Sequence, residues 1–200
     1  MHTLHDYGPS GNCYKVRLTA AHLSIPLRRE IHDLKKGEGR TAGFRERFPL
    51  GRVPVLQLED GTLLAESNAI ILFLAEGSSL IPSEKIQRAE MMQWLFWEQY
   101  SHEPNIATVR AWLRYFGVPT GKESQVKQKQ EAGVAALQVM EKHLSARAFF
   151  VGEKYSLADI ALFAYTHVAG EGDFDLSVVP SINAWIERVK SQPQFIAISA

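Results

Sequence analysis

Ser10-Gly11-Asn12-Cys13 stands just after a short β-like stretch, Leu4–Asp6, and opens a segment in which Cys13, Val16, Ala20 and Leu23 recur on one helical face. The first N–H groups of such a helix lack intrahelical acceptors and carry roughly half a positive charge, so an anion is stabilised there. A ligand thiol docked at this end loses its proton more easily, and the Ser10 hydroxyl and the Asn12 amide can each donate to the thiolate. A hydrogen bond to a charged group is worth about 1.5–3 kcal/mol, and one pKa unit is about 1.4 kcal/mol. One good donor therefore moves a thiol down by roughly one to two units from about 8.5. The plainer alternative is that Ser10 only caps the helix and Asn12 is a first-turn residue. Cys13 is the single cysteine. It faces inward with Val16 and Ala20 and has no resolving partner for dithiol exchange, so it reads as a buried, inert residue.

Two further groups can meet a ligand. In Gly51-Arg52-Val53-Pro54 a proline enters a strand and holds Val53 extended. With a cis bond at Pro54, Val53 can pair its backbone with an extended peptide; with a trans bond, Pro54 is an edge-strand proline. Glu66-Ser67-Asn68 opens another helix. There a hydroxyl and helix N–H groups suit a carboxylate and the Glu66 carboxylate suits an ammonium, together an amino-acid head group; the bland reading of Ser67 is a cap. The seven histidines show no H-x-x-x-H, and one cysteine excludes cysteine-based zinc sites, so no metal is expected. Neither G-x-G-x-x-G, nor a Walker pattern, nor a nucleophile elbow occurs. The aromatic cluster at 94–100 reads as core or dimer surface.

The elements that must position these groups change character near residue 80. Before it, Leu4–Asp6 reads as a strand, Cys13–Leu23 as a helix stopped by Pro26, and Leu27–Leu34 as a second strand. Phe44–Phe48 adds a helical turn, and Arg52–Leu58 and Leu63–Ala65 form a hairpin through Asp60-Gly61. Ser67 is expected to cap a helix through Ala69–Glu76, ended by Gly77. This is βαβ followed by ββα. Beyond the Ser78–Pro82 connector the pattern is helical throughout. Pro104 is expected to break or kink the run from residue 84, Val126–Leu144 is amphipathic, Ser156-Leu157-Ala158-Asp159 has capping-box form, and Pro180 opens a last helix. The expected division is 1–78, a linker at 79–84, and 85–200.

The 200 residues are 46% hydrophobic and 22% charged, with 22 basic and 22 acidic side chains. That composition supports a real core and gives no electrostatic footprint for nucleic acid or an anionic membrane. The longest apolar run, Ala69–Ala75, is far too short to cross a bilayer, and the first residues lack signal-peptide form. A cytoplasmic protein is expected.

Ser10, Val53-Pro54 and Glu66-Ser67, in that order before an all-helical half, together resemble the cytosolic glutathione transferase superfamily, and within it the bacterial serine-type and nu-like members. The resemblance covers nearly the whole chain. It implies a fold of class α/β + all-α: a thioredoxin-like N-terminal domain that binds glutathione, then an all-helical C-terminal domain that supplies much of the second-substrate pocket. Ser10 falls where serine-type classes hydrogen-bond the glutathione sulfur, while the position of Asn12 resembles nu-type proteins, which have Thr-Pro-Asn there and act on glutathione disulfides. Both residues are candidates for the catalytic contact. Val53 matches the backbone that pairs with the cysteinyl moiety, Pro54 the family's cis-proline, and Glu66 and Ser67 the pair that holds the γ-glutamyl group. Charge and position nominate Arg52, then Arg40, for the glycine carboxylate. Tyr7 lies too early for the sulfur-contact tyrosine of other classes and is assigned, with Tyr100, Arg110, Trp112 and Phe116, to the second-substrate pocket. Phe149-Phe150-Val151-Gly152 ahead of Ser156 resembles the family's hydrophobic staple and capping box. Zeta-type isomerases carry serine-serine-cysteine where this chain has Ser10-Gly11-Asn12, which argues against isomerisation. The implied function is attack by a glutathione co-substrate thiolate on a small hydrophobic electrophile, disulfide or peroxide, in a homodimer. A binding or scaffolding protein that kept the fold without turnover is the rival.

Overall fold

A computed structural model describes residues 1–200, which form two compact units: 1–78 with 193–200, and 79–192. The last eight residues, expected with the helical domain, belong to the first unit. Side chains of α1 (Gly11–His22) hold them there: Tyr14 Oη donates to the Ile196 carbonyl at 2.6 Å, and Arg17 Nη1 to the carbonyls of Ile198 and Ala200 at 3.0 and 2.8 Å.

The first unit is built on a four-stranded sheet of order β2-β1-β3-β4, with β1 His2–Asp6, β2 Leu27–Ile31, β3 Val55–Gln57 and β4 Leu63–Ala65. β1 runs parallel to β2 and antiparallel to β3, and β3 is antiparallel to β4. Alternation along β1 sends Leu4 and Asp6 to one face and Thr3 and His5 to the other. Leu4 pairs with Leu56 on β3, and both are fully buried. The β3–β4 turn uses Gly61 at φ 89°, a left-handed conformation that glycine adopts without strain, while Asp60 Oδ1 accepts from Thr62 N at 2.9 Å. α1 packs against α3 (Ser67–Ala75).

Two local expectations are revised here. The strand predicted over Leu27–Leu34 ends at Ile31, because Asp33 accepts from Lys36 N at 3.0 Å and starts a pair of tight turns, Leu34–Lys36 and Glu38–Arg40. These lead to α2 (Ala42–Arg47), capped by Thr41. Ser67 is not the cap of α3 but its first helical residue. Glu66 is the cap, at φ 68° and ψ 112°, with no capping bond from its side chain.

The second unit contains α4 (Lys85–Trp97), α5 (Glu103–Arg110), α6 (Glu123–Leu144), α7 (Leu157–Thr166) and α8 (Pro180–Lys190). Pro104 does not break the chain. It lies in the first turn of α5, where a missing N–H costs little, and α4 passes into α5 through a π-helical turn, Glu98–His102. A second π-helical turn, Ala111–Phe116, follows α5. α7 is buried along its whole length, so its start must be satisfied internally. Asp159 does this: its carboxylate accepts from Ser156 N (2.9 Å), Ser156 Oγ (3.1 Å), Phe150 N (3.1 Å) and Trp185 Nε1 (2.9 Å), tying α7 to α8. Even so, burial raises its carboxyl to about 6 against the pull of those donors. On α6, Gly133 rather than Val134 faces inward. A Cβ there would lie 2.5 Å from the Phe174 ring, so only glycine permits this approach.

Candidate active site

The loop from β1 to α1 is fixed from below by buried charge. Asp6, fully buried, meets Arg29 Nε at 2.8 Å and Arg17 Nε at 3.5 Å, and Arg17 Nη2 donates to the Gly8 carbonyl at 2.7 Å. The loop then turns so that Ser10 N donates to the Tyr7 carbonyl at 2.8 Å. Ser10 caps α1: its Oγ accepts from Cys13 N at 3.3 Å, which uses a lone pair and leaves the hydroxyl proton to be donated. Both alternatives raised for Ser10, cap and donor, are therefore compatible in one side chain.

Asn12 and Ser67 come together from different helices. Ser67 Oγ donates to Asn12 Oδ1 at 3.1 Å and accepts from Lys15 Nζ at 3.4 Å. Lys15 is fully buried, so its charge lies beneath the site rather than in solvent. Sequence reading missed it; its place one turn beyond Asn12 on the inward-facing side of α1 was the available signal. α3 begins with the N–H groups of Ser67, Asn68 and Ala69, ahead of the first helical bond from Ile70 N to the Glu66 carbonyl at 2.9 Å. The start of α3 thus joins that of α1, with the exposed Glu66 carboxylate beside it.

Cys13 is fully buried, and its thiol is pushed up to about 12 by burial and by the nearby Asp6 charge, against a Tyr7 N–H donor 3.4 Å from Sγ. Buried and held protonated, this thiol is not presented as a nucleophile. The Val53–Pro54 peptide is cis, immediately before β3. Val53 is buried with Cys13, Phe44, Phe48 and Val55, and Tyr7 packs on that cluster. The segments bearing Arg40 and Arg52 are neighbours, since a Cβ on Gly39 would lie 3.5 Å from the Gly51 carbonyl; both arginines are exposed.

The remaining candidates lie in the helical unit. Tyr100, on the first π-helical turn, is 87% exposed, and Phe116 and the half-buried Trp112 lie on the second. Arg110 needs correction as a pocket side chain. It is buried, with Nε 3.0 Å from Glu171 Oε2 and Nη2 donating to Tyr115 Oη at 3.0 Å, so its charge is already spent inside the protein. It braces Tyr115 and Glu171 instead of facing a ligand.

A thioredoxin-like unit with polar groups at the starts of α1 and α3, followed by a helical unit, defines the glutathione transferase class of folds. The family pattern for the glutathione S-transferase N-terminal domain matches residues 9–76, and that for the C-terminal domain matches residues 102–193. The chain is 47% identical to a crystal structure of a glutathione S-transferase from Pseudomonas fluorescens Pf-5, covering 100% of this chain and 99% of that one with a TM-score of 0.95. It is 31% identical to elongation factor 1-gamma of Carassius auratus over 98% of this chain but 45% of that protein, so it spans about half that relative's length. It is 28% identical to the disulfide-bond oxidoreductase YfcG of Escherichia coli K12, over 94% of this chain and 89% of that protein. The chain belongs to the glutathione S-transferase family.

Proposed function

We propose that the chain binds glutathione at the paired starts of α1 and α3 and uses its thiolate as a nucleophile. The observation that carries this reading is the Lys15–Ser67–Asn12 chain of hydrogen bonds, which ties a buried cation of α1 to the first residue of α3 and orders polar side chains where the two helices start. Burying Lys15 costs free energy unless its charge is used. Glu66 adds to it: a non-glycine residue at φ 68° carries strain of about 1–3 kcal/mol, which is commonly retained where a side chain must meet a ligand.

Glutathione's γ-glutamyl carboxylate would meet the first N–H groups of α3, and its ammonium the Glu66 carboxylate. Its cysteinyl backbone would pair with Val53 beside Pro54, and its glycine carboxylate would take Arg52 or Arg40. The sulfur would lie against the start of α1, where Ser10 Oγ–H and the Asn12 amide donate to it. The thiolate then attacks either an electrophilic carbon, expelling the leaving group, or a disulfide sulfur, expelling the other thiolate. Proximity and ionisation are what the protein supplies. Tyr7, whose carbonyl accepts from Ser10 N, is the aromatic candidate of the first unit. Within the helical unit the aromatic candidates Tyr100, Trp112 and Phe116 are carried on π-helical turns, a common device at functional positions.

Likeness to YfcG favours the disulfide as acceptor. The test is retention on immobilised glutathione, followed by conjugation and disulfide-reduction assays of wild type, Ser10→Ala and Asn12→Ala. Retention with turnover reduced at least tenfold in a variant is expected. Complete flow-through of folded protein would instead favour a scaffold, the reading that likeness to elongation factor 1-gamma keeps open.

A further inference from the structure

Opposite the packing face of Leu4, the sheet gathers two histidines and a carboxylate that the site above does not use. β1 and β2 are parallel with His5 in register with Glu30, and His32 lies two residues further on, so period-two alternation puts all three side chains on one face. His32 continues the ladder just past β2, its N–H donating to the Asp6 carbonyl at 2.8 Å. His5 Nδ1 is 3.1 Å from His32 Nε2 and 3.6 Å from Glu30 Oε1, and His32 Nε2 is 3.9 Å from the same oxygen.

We infer that His5 Nδ1, His32 Nε2 and Glu30 Oε1 form a divalent transition-metal site, with zinc as the ion it fits best. Zinc bonds of about 2.0–2.2 Å in a tetrahedron place ligand atoms roughly 3.3–3.5 Å apart. The three observed separations bracket that edge, and the half-exposed Glu30 can close the longer two by rotating. The outer partners are also in place. His32 Nδ1 lies 2.5 Å from Glu38 Oε1, and a carboxylate can only accept, so the proton sits on Nδ1 and the lone pair on Nε2 faces the site. His5 Nε2 lies 3.4 Å from Gln57 Oε1, so a proton moved from Nδ1 to Nε2 finds an acceptor there. Each imidazole thus has the second-nitrogen partner that metal-bound histidines use. Glu38 is itself fixed by Asp33 N at 2.7 Å.

Arg47 opposes the ion: Nη1 donates to Glu30 Oε1 at 2.9 Å, and Nη2 lies 3.3 Å from His5 Nε2. Glu30 and Glu38 still outnumber it in charge, and a carboxylate oxygen has lone pairs for both a guanidinium and a metal. Without an ion His5 Nδ1 donates to His32 Nε2 and His5 Nε2 accepts from Arg47 Nη2; with an ion the Nε2 proton turns to Gln57 Oε1, and the Arg47 guanidinium must swing off Nε2. With three protein ligands and exposure on the Glu30 side, the fourth position is open to water or an anion, as in zinc sites that bind small ligands.

The test uses full-length, tag-free protein stripped with a chelator and titrated with Zn2+ and with Co2+ as the spectroscopic substitute. One zinc per chain and the intense visible bands of tetrahedral Co2+ are expected. Glu30→Gln, on the open side, and His32→Gln should each weaken binding by roughly 10- to 100-fold or more, with circular dichroism and glutathione retention unchanged. A folded wild type that takes up no stoichiometric zinc, or variants that bind it as tightly as wild type, would overturn the assignment. Because glutathione retention is read separately, failure here leaves the transferase reading standing, and the reverse also holds.

Discussion

Ser67 Oγ donates to Asn12 Oδ1 across 3.1 Å, joining the first turn of α3 to the first turn of α1. Asn12 is a candidate for the glutathione sulfur and Ser67 for its γ-glutamyl end, so this bond links the two ends of the proposed ligand site through one oriented amide.

That link predicts coupling. Asn12→Ala and Ser67→Ala should each lower glutathione affinity. In a double-mutant cycle the pair should show non-additivity of about 1 kcal/mol, the usual net worth of an intramolecular hydrogen bond. Isothermal titration calorimetry of the four proteins measures it; strictly additive losses would mean that the bond does not order the site.

Glu66→Gly should separate stability from binding. Glycine adopts φ 68° without strain, so the variant should gain roughly 0.5–1 kcal/mol in urea denaturation. Loss of the carboxylate should weaken glutathione binding in the same protein. A variant that binds normally would remove Glu66 from the ammonium contact.

Cys13→Ala should keep turnover. The thiol is fully buried and raised to about 12, so no thiolate of its own is available at neutral pH. The cost should be confined to packing, about 1 kcal/mol for the lost sulfur volume. Steady-state assays on folded variant check this, and an inactive one would return Cys13 to the mechanism.

Acid should weaken the helical unit through His167. Burial holds its imidazole down at about 4, although Nδ1 lies 2.6 Å from the Phe163 carbonyl and the ring stacks on Phe163. The unfolded chain binds a proton near 6.5 and the folded one does not, so stability is complete above that value and declines as pH falls toward 4. The loss can reach about 3 kcal/mol. Asp159, raised to about 6, acts in the opposite sense: its contribution is present in acid and fades as pH rises through 6. Comparing wild type with His167→Gln isolates the histidine. The wild-type curve of unfolding free energy should be steeper between pH 6.5 and 4, and equal slopes would refute the assignment.

The sequence by itself determined what depends on neighbours along the chain. The Ser156–Asp159 box, the Asp60-Gly61 hairpin and Pro180 at a helix start are legible because a cap or turn is satisfied within a few residues. The candidate site residues could be named from the sequence as a set of positions. Local reading misplaced the cap of α3, because Ser67 is a better intrinsic cap than Glu66 but its hydroxyl is claimed by Asn12 and Lys15 from another helix. It expected a break or a kink at Pro104, and the structure has no break there but a π-helical turn just ahead of it. Only the tertiary structure decided that residues 193–200 return to α1, that Arg110 is spent on Glu171, and that His5, Glu30 and His32 converge. Strand register and burial decide such pairings, and both arise from contacts between residues far apart in the chain, which no local spacing records.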